Sequence, residues 1–127
     1  MLTVGEVMER RFLTVRETDR IGPVLDWMDR YKTRVVPVLN DKKKLVGIIS
    51  ERQLYRGLFL QEYDPLQVIE DIVNRQFITA HQEENWIQVA KRLRIYNQEI
   101  VPVVEKGAVI GMITQDLVVD QFITKII

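Results

Sequence analysis

Two segments of the chain each end in a hydroxyl residue that stands three positions after a glycine. The first pair is Gly47 and Ser50, and the second is Gly111 and Thr114. In both cases the spacing of the apolar residues that follow predicts a helix, so the hydroxyl lies at a helix N-terminus. A hydroxyl there caps free backbone N–H groups, and the same groups attract phosphate. Ser50 and Thr114 are therefore predicted helix caps, with contact to a phosphate left open.

Residues suited to catalysis or to metal binding are scarce in this sequence. It contains no cysteine and a single histidine, His81, which excludes disulfides, thiolate metal sites and a cysteine nucleophile. No nucleophile–base pair, glycine-rich phosphate loop or metal-ligand spacing is visible. We therefore expect neither an enzyme nor a metal site.

Charge and hydropathy narrow the classes of partner. The 18 Lys and Arg residues balance the 18 Asp and Glu residues, so long-range attraction to nucleic acid or to anionic lipid is weak. No apolar run approaches the roughly 18 residues of a membrane span, and the acidic, amphipathic start lacks the order of a secretory signal. We expect a cytoplasmic protein, or a soluble piece of a larger one, that binds no nucleic acid and does not insert into a membrane.

The chain repeats one pattern along its length. The segments "RVVPVLNDKKKLVGIIS" and "EIVPVVEKGAVIGMIT" both hold an apolar run with a central proline, a polar turn, and a second apolar run with a glycine. Their prolines, Pro37 and Pro102, are 102 − 37 = 65 positions apart, and the same offset relates Thr14 to Thr79. Self-similarity at a fixed period indicates a duplication. We divide the sequence into a first repeat at 1–62, a linker at 63–67 and a second repeat at 68–127.

Each repeat has the same predicted order of elements. A short extended piece precedes an amphipathic helix, two strands joined by a turn follow, and a second helix ends the repeat. Ser50 and Gln53 have the spacing of a capping box, and the rings of Tyr31 and Tyr96, at the ends of the first helices, are expected to lie against the strands. The order β-α-β-β-α, given twice, predicts an α+β protein with two small sheets. Neither half could cover its own sheet, so we expect the halves to pack about a pseudo-twofold axis.

The strands with the central prolines carry consecutive apolar residues, which predicts that both of their faces are buried. Proline lacks the N–H donor of the ladder, so Pro37 and Pro102 belong at a strand edge or where the ladder is interrupted. A backbone group left unpaired at such an interruption would lie at the edge of a cleft for a small molecule.

The two repeats resemble cystathionine-β-synthase (CBS) domains in tandem. The resemblance rests on "VVPVLNDKKKLVGIISERQL" and "IVPVVEKGAVIGMITQDL", on the pieces and helices before them, and on the lead-in turns "TVGEVM" and "VIEDIV". It covers the chain from about Thr3 to about Ile123. It implies a regulatory module without catalytic activity that binds an adenosine-containing ligand (AMP, ADP, ATP or S-adenosylmethionine) in clefts between the repeats. It also implies a homodimer, and no cofactor other than such a ligand.

The resemblance implies a set of ligand contacts as well. The base would lie against the threonine-containing extended pieces and the proline strands, and the hydroxyls at the helix starts would meet the ribose and phosphate. The implied contacts are Thr14, Val35, Val36, Pro37, Ser50, Thr79, Ile100, Val101, Pro102 and Thr114.

The phosphate motif of the family ends in an aspartate, and this chain departs from it there. Gln53 stands at that position in the first repeat, while the second repeat has Leu117, or Asp116 if the helix is shifted by one residue. Gln53, Asp116 and, for its charge, Arg34 are further candidate ligand contacts. Loss of a charged hydrogen bond to the ribose weakens binding by roughly 1.5–3 kcal/mol, a factor of ten to a hundred. The clefts could therefore bind a nucleotide weakly, bind something else, or belong to a structural module for dimerisation or interaction that binds no nucleotide.

The two repeats also differ in charge near the implied phosphate position. Arg34 stands three residues before Pro37, whereas Glu99 stands three residues before Pro102. A guanidinium attracts a phosphate, and a carboxylate repels it. We therefore expect asymmetric occupancy that favours the cleft faced by Arg34.

Overall fold

The structure, a computed structural model, describes residues 2–126, with side chains described as far as Ile123. Its elements confirm an α+β chain with two repeats. In chain order they are α1 (Val4–Val7), β1 (Val15–Arg16), α2 (Ile21–Arg30), β2 (Val35–Leu39), β3 (Leu45–Ser50), α3 (Glu51–Phe59), a 3-10 turn (Ile69–Asp71), α4 (Trp86–Ile95), β4 (Ile100–Glu105), β5 (Ala108–Thr114) and α5 (Gln115–Ile126).

The chain forms two compact units. One spans Leu13–Phe77, and the other combines the residues up to Phe12 with those from Ile78 onward. These units differ from the sequence repeats, because the lead-in segment of each repeat packs within the unit that holds the other repeat's strands. The boundaries of the repeats themselves stay a prediction.

The unit Leu13–Phe77 is built on a three-stranded sheet. Strand β2 lies in the centre, parallel to β1 and antiparallel to β3. Apolar residues of the strands, of α2, of α3 and of the 3-10 turn form one core, because their spacing places them on facing surfaces. The buried members are Val15, Ile21, Val24, Met28, Val36, Val38, Ile49, Leu54 and Ile69.

The second unit is built on the antiparallel pair β4 and β5. Ala80 pairs with Val103 in a parallel bridge, in the place that β1 has beside β2. The core lies between this sheet, α1 and α4, with part of α5 packed against it. Its buried members are Val4, Val7, Met8, Ala80, Trp86, Val89, Ala90, Leu93, Val101, Val103 and Ile113.

Each lead-in segment extends the sheet of its unit by one backbone pair. Asn74 exchanges two hydrogen bonds with Ile48 of β3, at N–O distances of 3.0 and 3.1 Å. Glu9 exchanges two with Met112 of β5, at 2.8 and 2.9 Å. The same pairing therefore occurs in both units.

The motif glycines make this close approach feasible. A Cβ atom on Gly47 would collide with Val73 Cγ2 and with the backbone oxygen of Asn74. A Cβ atom on Gly111 would collide with the side chain of Met8. Packing therefore favours a glycine three residues before each hydroxyl, whatever the hydroxyl binds.

The proline strands are covered on both sides, as predicted. Four consecutive residues are buried in each, Val35 to Val38 in β2 and Ile100 to Val103 in β4. Side chains alternate between the faces of a strand, so a run of buried residues requires cover on both faces.

The prediction for the two helix-terminal tyrosines was wrong. Tyr31 is 68% exposed and Tyr96 is 64% exposed. Each residue caps the C-terminus of its helix, and the next residue has a positive φ, 53° at Lys32 and 50° at Asn97. The chain turns sharply there, which leaves the ring in solvent instead of over the sheet.

Candidate functional site

Ser50 and Thr114 cap their helices as predicted. The Oγ atom of Ser50 accepts a hydrogen bond from the backbone N of Gln53 at 3.0 Å. The Oγ1 atom of Thr114 accepts one from the backbone N of Leu117 at 3.1 Å. Both hydroxyls are half-buried, so capping leaves part of each one accessible to a ligand.

The capping box predicted for Ser50 and Gln53 forms only on the hydroxyl side. The Nε2 atom of Gln53 instead donates to the backbone oxygen of Ile72 at 2.6 Å and contacts the Tyr63 hydroxyl at 3.4 Å. The bond to Ile72 ties α3 to the segment that follows the 3-10 turn. An aspartate here could not make this bond, because a carboxylate has no N–H to donate and the side chain is one methylene shorter. This contact gives a structural reason for the departure from the family motif.

The register of the last helix settles which residue of the second repeat corresponds to Gln53. Leu117 takes the capping bond from Thr114, as Gln53 does from Ser50. The two helices therefore start in the same register, without the shift by one residue that would bring Asp116 into the equivalent position. Leu117 packs against the core and Asp116 is exposed, so the placement of Asp116 among the ligand contacts has no support in the helix register.

A depression of about 380 Å³ surrounds the start of α3. Ser50 and Gln53 line it together with two guanidinium groups, those of Arg52 and Arg56. The two cations outnumber the one carboxylate of the lining, that of Glu62, and beside a hydroxyl and a helix N-terminus they favour an anionic group. The other lining residues are Gly57, Glu62 and Tyr63.

Thr14 lies in a separate depression of about 660 Å³ in the same unit. Trp27 and Tyr31 supply aromatic surface there, and Arg16 and Lys43 supply positive charge. The structure therefore brings Ser50 and Gln53 together and separates them from Thr14. The remaining lining residues are Leu13, Asp19, Leu39 and Asn40.

Most of the proline-strand candidates present little surface. Val36 and Val101 are 0% exposed and belong to the two cores, so a ligand could touch them only if a core opened. Val35, Pro37, Ile100 and Pro102 are also buried.

The backbone ladder is interrupted at Pro102, as predicted for a proline inside a strand. Ala80 N donates to the carbonyl of Pro102 at 3.0 Å, and Val104 N donates to the carbonyl of Ala80 at 2.9 Å. Continuing this parallel ladder back by two residues brings the carbonyl of Ile78 opposite the missing N–H of Pro102.

The side chain of Gln98 fills this interruption. Its Oε1 atom accepts from Ile78 N at 3.0 Å, and its Nε2 atom donates to Ile78 O at 3.0 Å. The same Nε2 atom donates to the carbonyl of Ile100 at 2.7 Å. Sequence reasoning missed Gln98, and the only signal for it was its place just before a proline strand.

The charged candidates before the strands are in solvent. Arg34 and Glu99 are both exposed, and the backbone oxygen of Arg34 accepts from the N of Glu51 at 2.7 Å. Thr79 is half-buried between Ile78 and Ala80. Each residue's role toward a ligand stays a prediction.

The second unit holds a partly buried ion pair between Glu84 and Arg92. Burial raises the pKa of the Glu84 carboxyl, but the hydrogen bonds from Arg92 and from the backbone of His81 outweigh it and lower that pKa below the ordinary value. Within the described residues, no group of three His, Asp or Glu side chains is placed to hold a metal ion. No helix in the described part of the chain is long and apolar enough to cross a membrane.

Comparison with known proteins agrees with this architecture. The CBS domain model matches residues 4–59 and 69–122. The protein MJ1225 of Methanocaldococcus jannaschii is 31% identical over 111 residues, which cover 87% of this chain and 39% of that protein. The chain spans between 14% and 39% of the first curated relatives that it matches.

Two solved structures show the same fold. The CBS domain pair of protein MJ0100, in complex with 5'-methylthioadenosine and S-adenosyl-L-methionine, superposes with a TM-score of 0.88 at 26% identity and covers 98% of each chain. CBSX2 in complex with AMP superposes with a TM-score of 0.85 at 23% identity and covers 100% of each chain. Since the family model matches both repeats, this chain, a tandem pair of such repeats, belongs to the CBS domain family.

Proposed function

We propose that the chain is a regulatory module that binds an adenosine-containing ligand such as AMP, ADP, ATP or S-adenosylmethionine. The observation that carries this proposal is the likeness, at 26% identity over 98% of both chains, to a CBS pair whose crystals contain two adenosine compounds. The positively charged depression beside Ser50 supports it, because that depression suits the anionic part of a nucleotide. The module itself performs no catalysis under this proposal.

The proposed contacts are drawn from the unit Leu13–Phe77. Ser50 and the guanidinium groups of Arg52 and Arg56 would meet the phosphate or carboxylate end of the ligand. Thr14 stays a proposed contact on the strength of the family resemblance, and Arg34 stays one because of its charge and its place three residues before Pro37. In the second repeat, Thr79 corresponds to Thr14 and Thr114 corresponds to Ser50. We propose these contacts less strongly, because the negative charge of Glu99 would repel a phosphate there.

Binding of the ribose is expected to be weak. Gln53 stands at the aspartate position, and its Nε2 atom is already engaged by Ile72 at 2.6 Å. The missing carboxylate costs roughly 1.5–3 kcal/mol for a charged hydrogen bond, so the affinity should be about ten- to a hundredfold below that of a site with the aspartate.

The test is calorimetric titration of the chain with each of the four ligands and with 5'-methylthioadenosine. We expect at least one of them to bind and to raise the melting temperature. Arg52→Gln should weaken an anionic ligand several-fold, while Lys42→Gln, which removes the same charge from an exposed turn, should not. No binding of any ligand at millimolar concentration would overturn the proposal.

A dimerisation or interaction module is the second candidate. Five apolar side chains on α4, on its C-cap and on α5 are exposed although the helices pack together: Ile95 (75%), Tyr96 (64%), Val119 (54%), Phe122 (47%) and Ile123 (48%). An apolar groove of about 500 Å³ runs along the same two helices. Such a surface favours association of two copies, which agrees with the homodimer that the family resemblance implies.

Light scattering with and without each ligand separates the two candidates. A dimer whose size and stability are indifferent to every ligand would favour the interaction module. Val119→Glu should shift the dimer towards monomer, whereas Asp116→Asn, on an exposed position of α5 near its start, should not. A cytoplasmic location stays a prediction from the sequence.

A further inference from the structure

The two repeats differ in what bonds the backbone groups that lie opposite their prolines. In the second repeat, the carboxamide of Gln98 bonds both backbone groups of Ile78. The equivalent residue of the first repeat is at 98 − 65 = 33, which is Thr33. Its Oγ1 atom donates to the carbonyl of Val35 at 3.1 Å, as Gln98 does to Ile100, but its side chain is two atoms too short to go further.

The residue that corresponds to Ile78 in the first repeat is Leu13. Val15 pairs in parallel with Val38, in the same relation as Ala80 with Val103 in the second unit, so Leu13 faces the missing donor of Pro37. Among the residues that the structure describes, neither the N–H nor the C=O of Leu13 makes a hydrogen bond. The first repeat therefore keeps an open donor and acceptor pair where the second has a filled one.

The side chain that bonds the backbone N–H and C=O of Ile78 indicates what kind of ligand would suit the open N–H and C=O of Leu13. A carboxamide presents an N–H donor beside an oxygen acceptor, and it bonds the C=O and N–H of a single residue at once. The 6-amino group of adenine and the neighbouring ring nitrogen present the same donor and acceptor side by side, which is why carboxamides and adenine edges pair so well. Gln98 thus occupies the position that an adenine edge would need on the backbone of Ile78.

We infer that Gln98 is a built-in occupant of the base position in the second repeat, and that it limits the chain to one adenosine ligand, held at Leu13. This inference rests on the proposed function. A free ligand competing for Ile78 would have to displace a side chain that is tethered in place and therefore present at a high effective concentration. It would also have to leave the Gln98 carboxamide without the three bonds that it makes.

Gln98 and Glu99 would disfavour a ligand at the second repeat in two different ways. Glu99 lies in solvent and acts only through a screened interaction with a phosphate, so it would weaken binding of a charged nucleotide but not of an uncharged adenosine compound. Gln98 blocks the base itself. An uncharged ligand such as 5'-methylthioadenosine should therefore also bind at one site only. If repulsion by Glu99 were the sole cause, this ligand would bind at two sites.

The experiment is calorimetric titration of 5'-methylthioadenosine and of AMP into the wild-type chain, into Gln98→Thr and into Thr33→Gln. These variants exchange the residues of the two repeats. We expect one site in the wild type, two sites in Gln98→Thr, and binding reduced at least tenfold in Thr33→Gln. Amide hydrogen exchange provides a readout that needs no ligand: Ile78 N–H should be slow in the wild type and fast in Gln98→Thr, while Leu13 N–H should be fast in the wild type and slow in Thr33→Gln.

The outcomes distinguish this inference from the proposed function. Two sites in the wild type, or one site in a folded Gln98→Thr whose Ile78 exchanges fast, would overturn the inference and leave the adenosine module standing. If Gln98→Thr fails to fold, undiminished binding by Thr33→Gln with a slowly exchanging Leu13 would overturn it. Binding by none of the three chains would overturn the proposed function and this inference with it.

Discussion

Replacing each motif glycine by alanine tests how the lead-in segments pack. The two clashes differ in kind. At Gly47 the new Cβ lies 2.5 Å from the backbone oxygen of Asn74 and 2.4 Å from Val73 Cγ2, whereas at Gly111 it overlaps mainly with the Met8 side chain and lies 3.2 Å from the backbone oxygen of Glu9. A thioether can rotate away, but a backbone carbonyl can move only with its strand. Gly47→Ala should therefore destabilise the protein more than Gly111→Ala.

The magnitudes follow from the contacts at risk. Displacing the segment at Asn74 endangers its two backbone hydrogen bonds to Ile48, each worth about 0.5–1.5 kcal/mol, and forcing a methyl group into a packed site costs about 1–3 kcal/mol. Alanine leaves the unfolded chain less conformational freedom than glycine does, which stabilises the folded protein by about 0.4–1 kcal/mol. We expect a net loss of about 1–3 kcal/mol for Gly47→Ala. For Gly111→Ala we expect about 1 kcal/mol or less, since mainly Met8 has to repack.

Urea unfolding of the two variants and of the wild type measures these losses. Amide exchange locates them: in Gly47→Ala the N–H groups of Ile48 and Asn74 should lose protection, while those of Glu9 and Met112 should keep it. The reasoning would be refuted if Gly111→Ala cost as much as Gly47→Ala, or if the protection of Asn74 were unchanged in the less stable variant.

Three further predictions concern single side chains. Ser50→Ala should lower the free energy of unfolding by about 1 kcal/mol through loss of a helix cap, while Ser50→Thr should keep most of it; equal losses in urea unfolding would contradict the capping role. Gln53→Asp should destabilise the protein, because a carboxylate replaces the donor to Ile72, and a melting temperature at or above that of the wild type would show that this bond is dispensable. The pKa of Glu84 is lowered in the fold, so its pairing with Arg92 contributes stability above the ordinary glutamate pKa, and this contribution is lost as the pH falls through the folded pKa. Glu84→Gln should therefore flatten the fall in stability on the acid side of neutrality, and an unchanged pH profile would rule the pair out as a source of it.

The repeat and the order of elements could be predicted from the sequence because they depend on local patterns. The offset between Pro37 and Pro102, the alternation of apolar runs and turns, and the helix caps at Ser50 and Thr114 are all properties of short stretches of chain. Burial of both faces of the proline strands followed from consecutive apolar residues. The family resemblance rests on the same patterns.

The lead-in exchange could not be read from the sequence, because it joins segments that are far apart in the chain. Nothing local indicates that Asn74 pairs with Ile48, or that Glu9 pairs with Met112. The motif glycines were visible, but the packing reason for them depends on what lies opposite. The wrong prediction for Tyr31 and Tyr96 has a similar origin, since the helical spacing placed the rings correctly along the helix but not the turn that follows.

The sequence by itself determined the duplicated α+β architecture and the family, because repetition and apolar periodicity survive in the order of the residues. Only the tertiary structure decided the state of the site. It placed Thr14 and Ser50 in separate depressions, turned the amide of Gln53 towards Ile72, and excluded the one-residue shift of the last helix that would favour Asp116 over Leu117. It also brought Gln98 to Ile78, twenty residues away along the chain. Each of these outcomes depends on contacts and hydrogen bonds that form only in the folded chain, which is why the order of the residues did not reveal them.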